Sequence, residues 1–215
     1  MPSRKVLLET GEYYHVYNRS SFGIPLFANE REMKAFLKAL KYYTLAEPPR
    51  RISLEKRYKE NIKDYDNRLV SILAYCVMPN HFHFLLKQEL EEGISTYLRR
   101  LTLSFVRYYN VLHHQKGPLF ESNFKAVHIE SENQLLHVSR YIHLNPTSAK
   151  VIGDPINYPY SSFSAYVEGG EKAPLVFDDI LRSKSREHYR NFVYDNLEYQ
   201  QSLQFIKHQL LDYDL

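Results

Sequence analysis

The stretch Leu69-Val70-Ser71-Ile72-Leu73-Ala74-Tyr75-Cys76-Val77-Met78-Pro79-Asn80-His81-Phe82-His83-Phe84-Leu85-Leu86-Lys87 decides the fold. Its first ten residues are nearly all apolar, which predicts a central strand buried on both faces. Pro79-Asn80 predicts a turn, and His81 to Lys87 predicts the returning strand of a hairpin. Successive strand side chains point to opposite faces, so His81, His83 and Leu85 share one face and Phe82, Phe84 and Leu86 the other. Two imidazoles two residues apart stand roughly 6–7 Å apart at their backbones, close enough to converge on one ion.

Working outward, Tyr13 to Tyr17 predicts a first strand, ended by Asn18-Arg19-Ser20-Ser21. Glu30 to Ala46 has Met33, Phe36, Leu37, Leu40 and Tyr43 at helical spacing, and Pro48-Pro49 stops it. Arg50 to Asn67 is charged and poorly periodic, and reads as an exposed insertion over about 47–68. Gly93 opens a long amphipathic helix with Ile94, Tyr97, Leu98, Leu101, Phe105, Tyr108, Tyr109 and Leu112 on one stripe. Phe124 to Ile129 predicts a fourth strand. Ser131 starts a further helix with Leu135, Val138 and Ile142 buried, expected to end at Asn145-Pro146. From Asp178 the pattern is helical again, through Tyr189, Phe192 and Val193, and on to Leu203, Ile206 and Leu210. The order strand, helix, strand, strand, helix, strand fits an α+β fold: a ferredoxin-like split βαββαβ antiparallel sheet with helices on one face, plus extra C-terminal helices. A domain over 1–170 followed by a helical extension over 171–215 is expected.

The composition sets bounds. The 215 residues are 44% hydrophobic and 25% charged, an ordinary globular balance able to bury a core. A net charge of +3 permits a nucleic-acid partner without demanding one. Nineteen tyrosines and 12 phenylalanines are mostly core and rim, although aromatic rings also stack on bases. The lone cysteine, Cys76, excludes an internal disulfide and a cysteine zinc site. There is no apolar leader or membrane span, so a cytoplasmic protein is expected.

Three histidine chemistries separate on spacing. A histidine-triad hydrolase wants a third histidine where Leu85 stands. A two-histidine phosphoesterase wants a hydroxyl residue two positions after each histidine. A metal-dependent nuclease wants two histidines on a divalent ion and a nucleophile. On the helix after Ser131, Tyr141 and Asn145 stand four residues apart on one face. Such a tyrosine can attack a phosphodiester and Asn145 can offer an oxygen ligand, while spacing alone favours Tyr141 as ordinary core beside Val138 and Ile142.

The segments Tyr14-His15-Val16-Tyr17-Asn18-Arg19, Ala74 to His83, Gly117-Pro118-Leu119-Phe120, Arg140-Tyr141-Ile142-His143-Leu144-Asn145-Pro146 and Tyr158-Pro159-Tyr160-Ser161-Ser162 occur in one order. Together the chain resembles the single-tyrosine HUH transposases, and more closely their REP-associated tyrosine transposase branch, over roughly residues 10–167. The resemblance implies a single-stranded DNA endonuclease and strand transferase acting through a 5′-phosphotyrosine. It implies Tyr141 as nucleophile, His81 and His83 with it in catalysis, and a Mg²⁺ or Mn²⁺ ion held by His81, His83 and Asn145. Hairpin-forming DNA repeats are the implied partner, and the chain acts as a monomer or a homodimer. Candidate DNA contacts are Asn18, Arg19, Arg99, Arg100, Lys125 and Arg140. The alternatives are a domesticated DNA- or RNA-binding protein of the same fold, or a metal-dependent phosphohydrolase using water.

Overall fold

The computed structural model describes residues 6–48, 67–121, 123–169, 175–181 and 185–199. Its elements are β1 (Tyr13–Arg19), α1 (Glu30–Tyr42), β2 (Val70–Met78), β3 (His81–Gln88), α2 (Gly93–Leu112), β4 (Lys125–Ile129), α3 (Glu132–Ser148), α4 (Phe163–Val167), α5 (Asp178–Leu181) and α6 (Arg186–Tyr194). The sheet is antiparallel with strand order β2-β3-β1-β4, the arrangement a split βαββαβ unit produces. Every residue of β2 is buried, as its apolar run requires.

The two sheet faces differ in chemistry. On one, Phe82 and Phe84 meet Phe36 of α1, which meets Phe105 of α2, with ring centroids 5.1–6.3 Å apart. The crossover helices α1 and α2 thus lie on one face, and their aromatic rings form the main core. Gly93 lets α2 start close to the sheet: a Cβ there would sit 2.2 Å from the Leu69 carbonyl oxygen.

The opposite face receives α3, which packs on β2 and β3. Ser131 caps it, its Oγ accepting from the Gln134 N–H at 3.2 Å. The helix does not stop at Asn145-Pro146 but continues through Ser148. Proline removes one N–H donor near the helix end, yet Ala149 N–H still reaches the Asn145 carbonyl at 3.0 Å and Val151 N–H the Pro146 carbonyl at 2.9 Å. Helix α1 is shorter than expected, ending at Tyr42 rather than Ala46. The chain leaves at Ala46 and returns at Asn67, where Ala46 N–H donates to the Asn67 carbonyl at 3.1 Å. Most of the charged insertion, and the helical pattern carried by Leu203, Ile206 and Leu210, lie outside the described residues.

The aromatic segment 158–162 closes the free edge of β2. Val77 N–H donates to the Tyr160 carbonyl and Ser162 N–H to the Tyr75 carbonyl, each at 3.0 Å. Beyond it, α4, α5 and α6 gather around α3. Among the described residues no helix is long and apolar enough to cross a membrane.

Candidate active site

Sheet register builds the site. In β1, Tyr17 pairs with His83 and Arg19 with His81, so Tyr13, His15, Tyr17 and Arg19 share the histidine face. His15 stands opposite Leu85, one step diagonal from His83, within reach for a ring. The His15 and His83 rings stack at 5.2 Å, Tyr17 stacks on His83 at 5.7 Å, and His81 meets His83 edge-on at 5.1 Å.

Hydrogen bonds set the protons. Asn80 Oδ1 lies 2.7 Å from His81 Nδ1. An amide oxygen only accepts, so His81 carries its proton on Nδ1 and keeps a lone pair on Nε2. His83 Nδ1 lies 3.0 Å from His15 Nε2, so one of these nitrogens donates to the other. When His83 offers Nε2 to a ligand, its Nδ1 holds the proton and His15 accepts it. Burial disfavours charge on all three rings: His15 and His81 are both lowered to about 4, His81 also by the Arg19 charge. His83 is held well below the ordinary value by burial and by its two histidine neighbours. All three are therefore neutral at pH 7.

Tyr141 comes to these rings from α3. Its ring meets His83 edge-on at 5.7 Å and His15 at 6.0 Å. Asn145, buried one turn later, hydrogen-bonds both the Tyr141 phenol and the His81 ring. Burial pushes the Tyr141 phenol up, and the Asn145 bond opposes that rise. The structure thus brings His81, His83, Tyr141 and Asn145 into one cluster. Among the described residues no three His, Cys, Asp or Glu side chains are disposed to hold a metal ion. The donors on offer are two neutral imidazoles and an amide, a set compatible with a divalent ion.

A buried chain of hydrogen bonds fixes α3 behind Tyr141. Ser162 Oγ takes the Tyr75 N–H at 2.9 Å and stands 2.8 Å from His143 Nε2. His143 Nδ1 stands 2.8 Å from the Tyr189 hydroxyl, which stands 2.8 Å from Ser139 Oγ. Ser139 donates to the Leu136 carbonyl at 2.7 Å. Each hydroxyl has one proton; Ser139 gives its own to Leu136, and the other acceptor open to Ser162, the Tyr75 carbonyl, stands farther off at 3.3 Å, so the shorter bonds run from Ser162 to His143 to Tyr189 to Ser139, with His143 protonated on Nδ1. It ties β2, α3 and α6 together.

A cleft of about 260 Å³ opens beside the rings, lined by Tyr17, Asn18, Arg19, His81, His83, Glu121 and Lys125. Of the expected DNA contacts, Asn18, Arg19 and Lys125 are there. The other three, Arg99, Arg100 and Arg140, lie outside this cleft. Arg99 and Arg100 lie on α2, across the sheet from the histidines, and Arg100 donates to the Leu45 and Ala46 carbonyls at 3.3 and 2.9 Å. Arg140 lies 4.2 Å over the Phe192 ring and donates to the Phe192 carbonyl at 3.3 Å, bracing α6. Sequence reading did not assign His15, Tyr17, Asn80 or Glu121 to the site. The alternation of Tyr13, His15, Tyr17 and Arg19 was the available signal for two of them.

The model of the family described as "Transposase IS200 like" matches residues 49–145, a span that contains all four clustered residues and begins inside the charged stretch. A solved structure, "Structure of the REP associates tyrosine transposase bound to a REP hairpin", is similar with a TM-score of 0.56 and 16% identity, covering 84% of this chain and 93% of that one. No curated protein matches the chain. Residues 49–145, which carry the clustered side chains, thus match the IS200-like transposase family, and they sit on a fold similar to that of the solved transposase.

Proposed function

We propose that the protein cuts single-stranded DNA at a hairpin-forming repeat and rejoins it, with Tyr141 as the nucleophile. The Tyr141 oxygen attacks the scissile phosphorus, forming a 5′-phosphotyrosine bond as the P–O bond to the 3′ oxygen breaks. The phenolic proton leaves Tyr141 and the released 3′ oxygen ends as a hydroxyl. A second 3′-hydroxyl attacks the phosphotyrosine phosphorus, forming a phosphodiester with the new strand as the P–O bond to Tyr141 breaks and the phenol regains a proton, so bond energy is conserved and no nucleotide cofactor is consumed.

His81 and His83 with Asn145 would hold a Mg²⁺ or Mn²⁺ ion, which would polarise the phosphate and lower the cost of forming the phenolate. The Tyr141 ring set edge-on to His83 at 5.7 Å is the observation that carries the proposal, and Asn145 one turn later is placed to orient the phenol. Asn18, Arg19 and Lys125 receive the DNA backbone in the cleft. Tyr141 meets histidines of its own chain, which supports action as a monomer rather than as a homodimer exchanging helices. Residues 1–170 then form the nuclease domain and the later helices an extension, in a cytoplasmic protein. The similar structure, titled as bound to a REP hairpin, supports the choice of substrate class.

The test is incubation with single-stranded hairpin oligonucleotides and Mn²⁺. A protein–DNA adduct that survives denaturation and disappears in Tyr141→Phe is expected; equal adduct in the variant refutes Tyr141 as nucleophile. Tyr141 is not among the cleft-lining residues, which favours a second reading in which water hydrolyses the phosphate. That reading gives cleavage without adduct, little changed by Tyr141→Phe.

A further inference from the structure

The turn that follows β1 holds Phe22 in an unusual state. The residue is 97% exposed and its φ is +56°, in the left-handed region a bulky side chain rarely adopts. Among the described residues three other non-glycine residues have positive φ: His114 and Lys150 stand just past helix C-termini, where that conformation is ordinary, and Glu92, a polar residue, precedes α2. Phe22 differs in being apolar, exposed and strained together.

Its surroundings show why the strain persists. Ser20 N–H donates to the Asn80 carbonyl and Ser21 N–H to the Leu119 carbonyl, both at 2.8 Å. A Cβ on Gly23 would lie 4.0 Å from Asn80 Nδ2, and the other end of that amide meets His81. The turn is therefore braced against the residue that sets the His81 proton, three positions past Arg19 in the cleft wall. Ile24, 44% exposed, extends the apolar surface. Backbone strain held in place beside a reactive cluster is a mark of a ligand clamp.

We infer that Phe22 is a stacking platform for an unpaired base next to the scissile phosphate. A base has an apolar π-face of matching size, and stacking on an exposed aromatic ring is tolerant of sequence. Arg19 takes the backbone while Phe22 takes the base, the pairing of charge and ring that single strands require. The inference rests on the reading that the chain acts on single-stranded DNA.

Fluorescence anisotropy with a labelled single-stranded hairpin oligonucleotide tests both at separate points. Binding by the wild-type chain is expected; its absence overturns both. Phe22→Ala is expected to weaken binding about 5- to 100-fold. Phe22→Gly is expected to weaken it equally while raising Tm, because glycine relieves the left-handed backbone; a merely structural role predicts no loss of binding. Abasic scanning should find one position that weakens the wild-type complex and leaves the Phe22→Ala complex unchanged. The chain has no tryptophan, so Phe22→Trp provides a single reporter, expected to be quenched on binding. Wild-type affinity in Phe22→Ala, or abasic effects that add to the variant at every position, overturns the inference while leaving the nuclease reading intact.

Discussion

Replacing Tyr189 with phenylalanine isolates the buried chain that fixes the helix carrying Tyr141. The ring keeps its volume and its neighbours, Tyr166 at 4.9 Å and His143 at 5.7 Å. Only the hydroxyl goes. Ser139 retains its own donation to the Leu136 carbonyl, so it loses little. His143 loses more: its ring is fully buried, and its Nδ1–H is left with no acceptor. A stranded buried donor costs about 1–3 kcal/mol. For a domain of this size each kcal/mol lowers Tm by about 2–4 °C, so a fall of about 5 °C is expected, within a range of about 2–12 °C. Differential scanning fluorimetry reads it, and single-stranded DNA affinity at 20 °C should not change, since no cleft group is touched. Nitrogen-15 NMR of the imidazoles checks the proton direction, with His143 expected to be protonated on Nδ1. An unchanged Tm, or a His143 proton on Nε2, refutes the chain as drawn.

His15→Ala should weaken Mn²⁺ binding about 10- to 100-fold in calorimetry, with partial rescue by His15→Gln, whose amide oxygen can still accept the His83 proton. Unchanged affinity in His15→Ala removes His15 from that role. His15 and His81 are lowered to about 4 in the folded chain, against about 6.5 when unfolded, so the unfolded chain binds more protons between those values. Stability without metal should therefore be complete above about pH 6.5 and fall as pH drops toward 4, and His81→Gln should flatten the slope of urea midpoints against pH. A slope unchanged in His81→Gln contradicts the assigned shift. Arg19→Ala should reduce the salt dependence of single-stranded DNA binding by about 0.7 in log K per log salt, one phosphate contact, while Arg100→Ala leaves it unchanged and lowers Tm. Equal salt slopes in the two variants would contradict their different placement.

The hairpin was legible because its signals are local. An apolar run, a Pro-Asn turn and strict alternation fix β2, β3 and the shared face of His81 and His83 without knowledge of any other element. The partners of those rings were not legible in the same way. Whether His15 meets His83 depends on register between strands about seventy residues apart, and one residue of slip would turn His15 to the other face. Arginines illustrate the same limit. Arg19, Arg100 and Arg140 carry identical charge, yet one lines the cleft, one holds a loop and one stacks on Phe192. The destination of a long side chain is decided by which helix face meets which neighbour, and sequence spacing does not carry that. Pro146 misled for a related reason: a proline costs a helix one donor, but near the C-terminus the following amides still find their carbonyls.

The position of the cleft follows from the widths of the elements. Four strands spaced about 4.8 Å apart make a sheet about 14 Å across, and a helix with its side chains is about 10–12 Å wide. The crossover helices of a βαββαβ unit occupy one face as a pair. On the other face, α3 packs chiefly on β2 and β3 and touches β4, with α5 and α6 against it. These helices do not cover the whole sheet, so the end where β1 finishes and β4 begins is left open, and Tyr17, Arg19 and Lys125 line the cleft there. The histidines on β3 stand at the boundary, with Tyr141 against them from the covered side and the cleft on the other. Tyr141, held by packing, and a cleft open to solvent therefore meet over the same two rings, so in the proposed reaction the geometry that protects the phenol also leaves the approach of a DNA strand open.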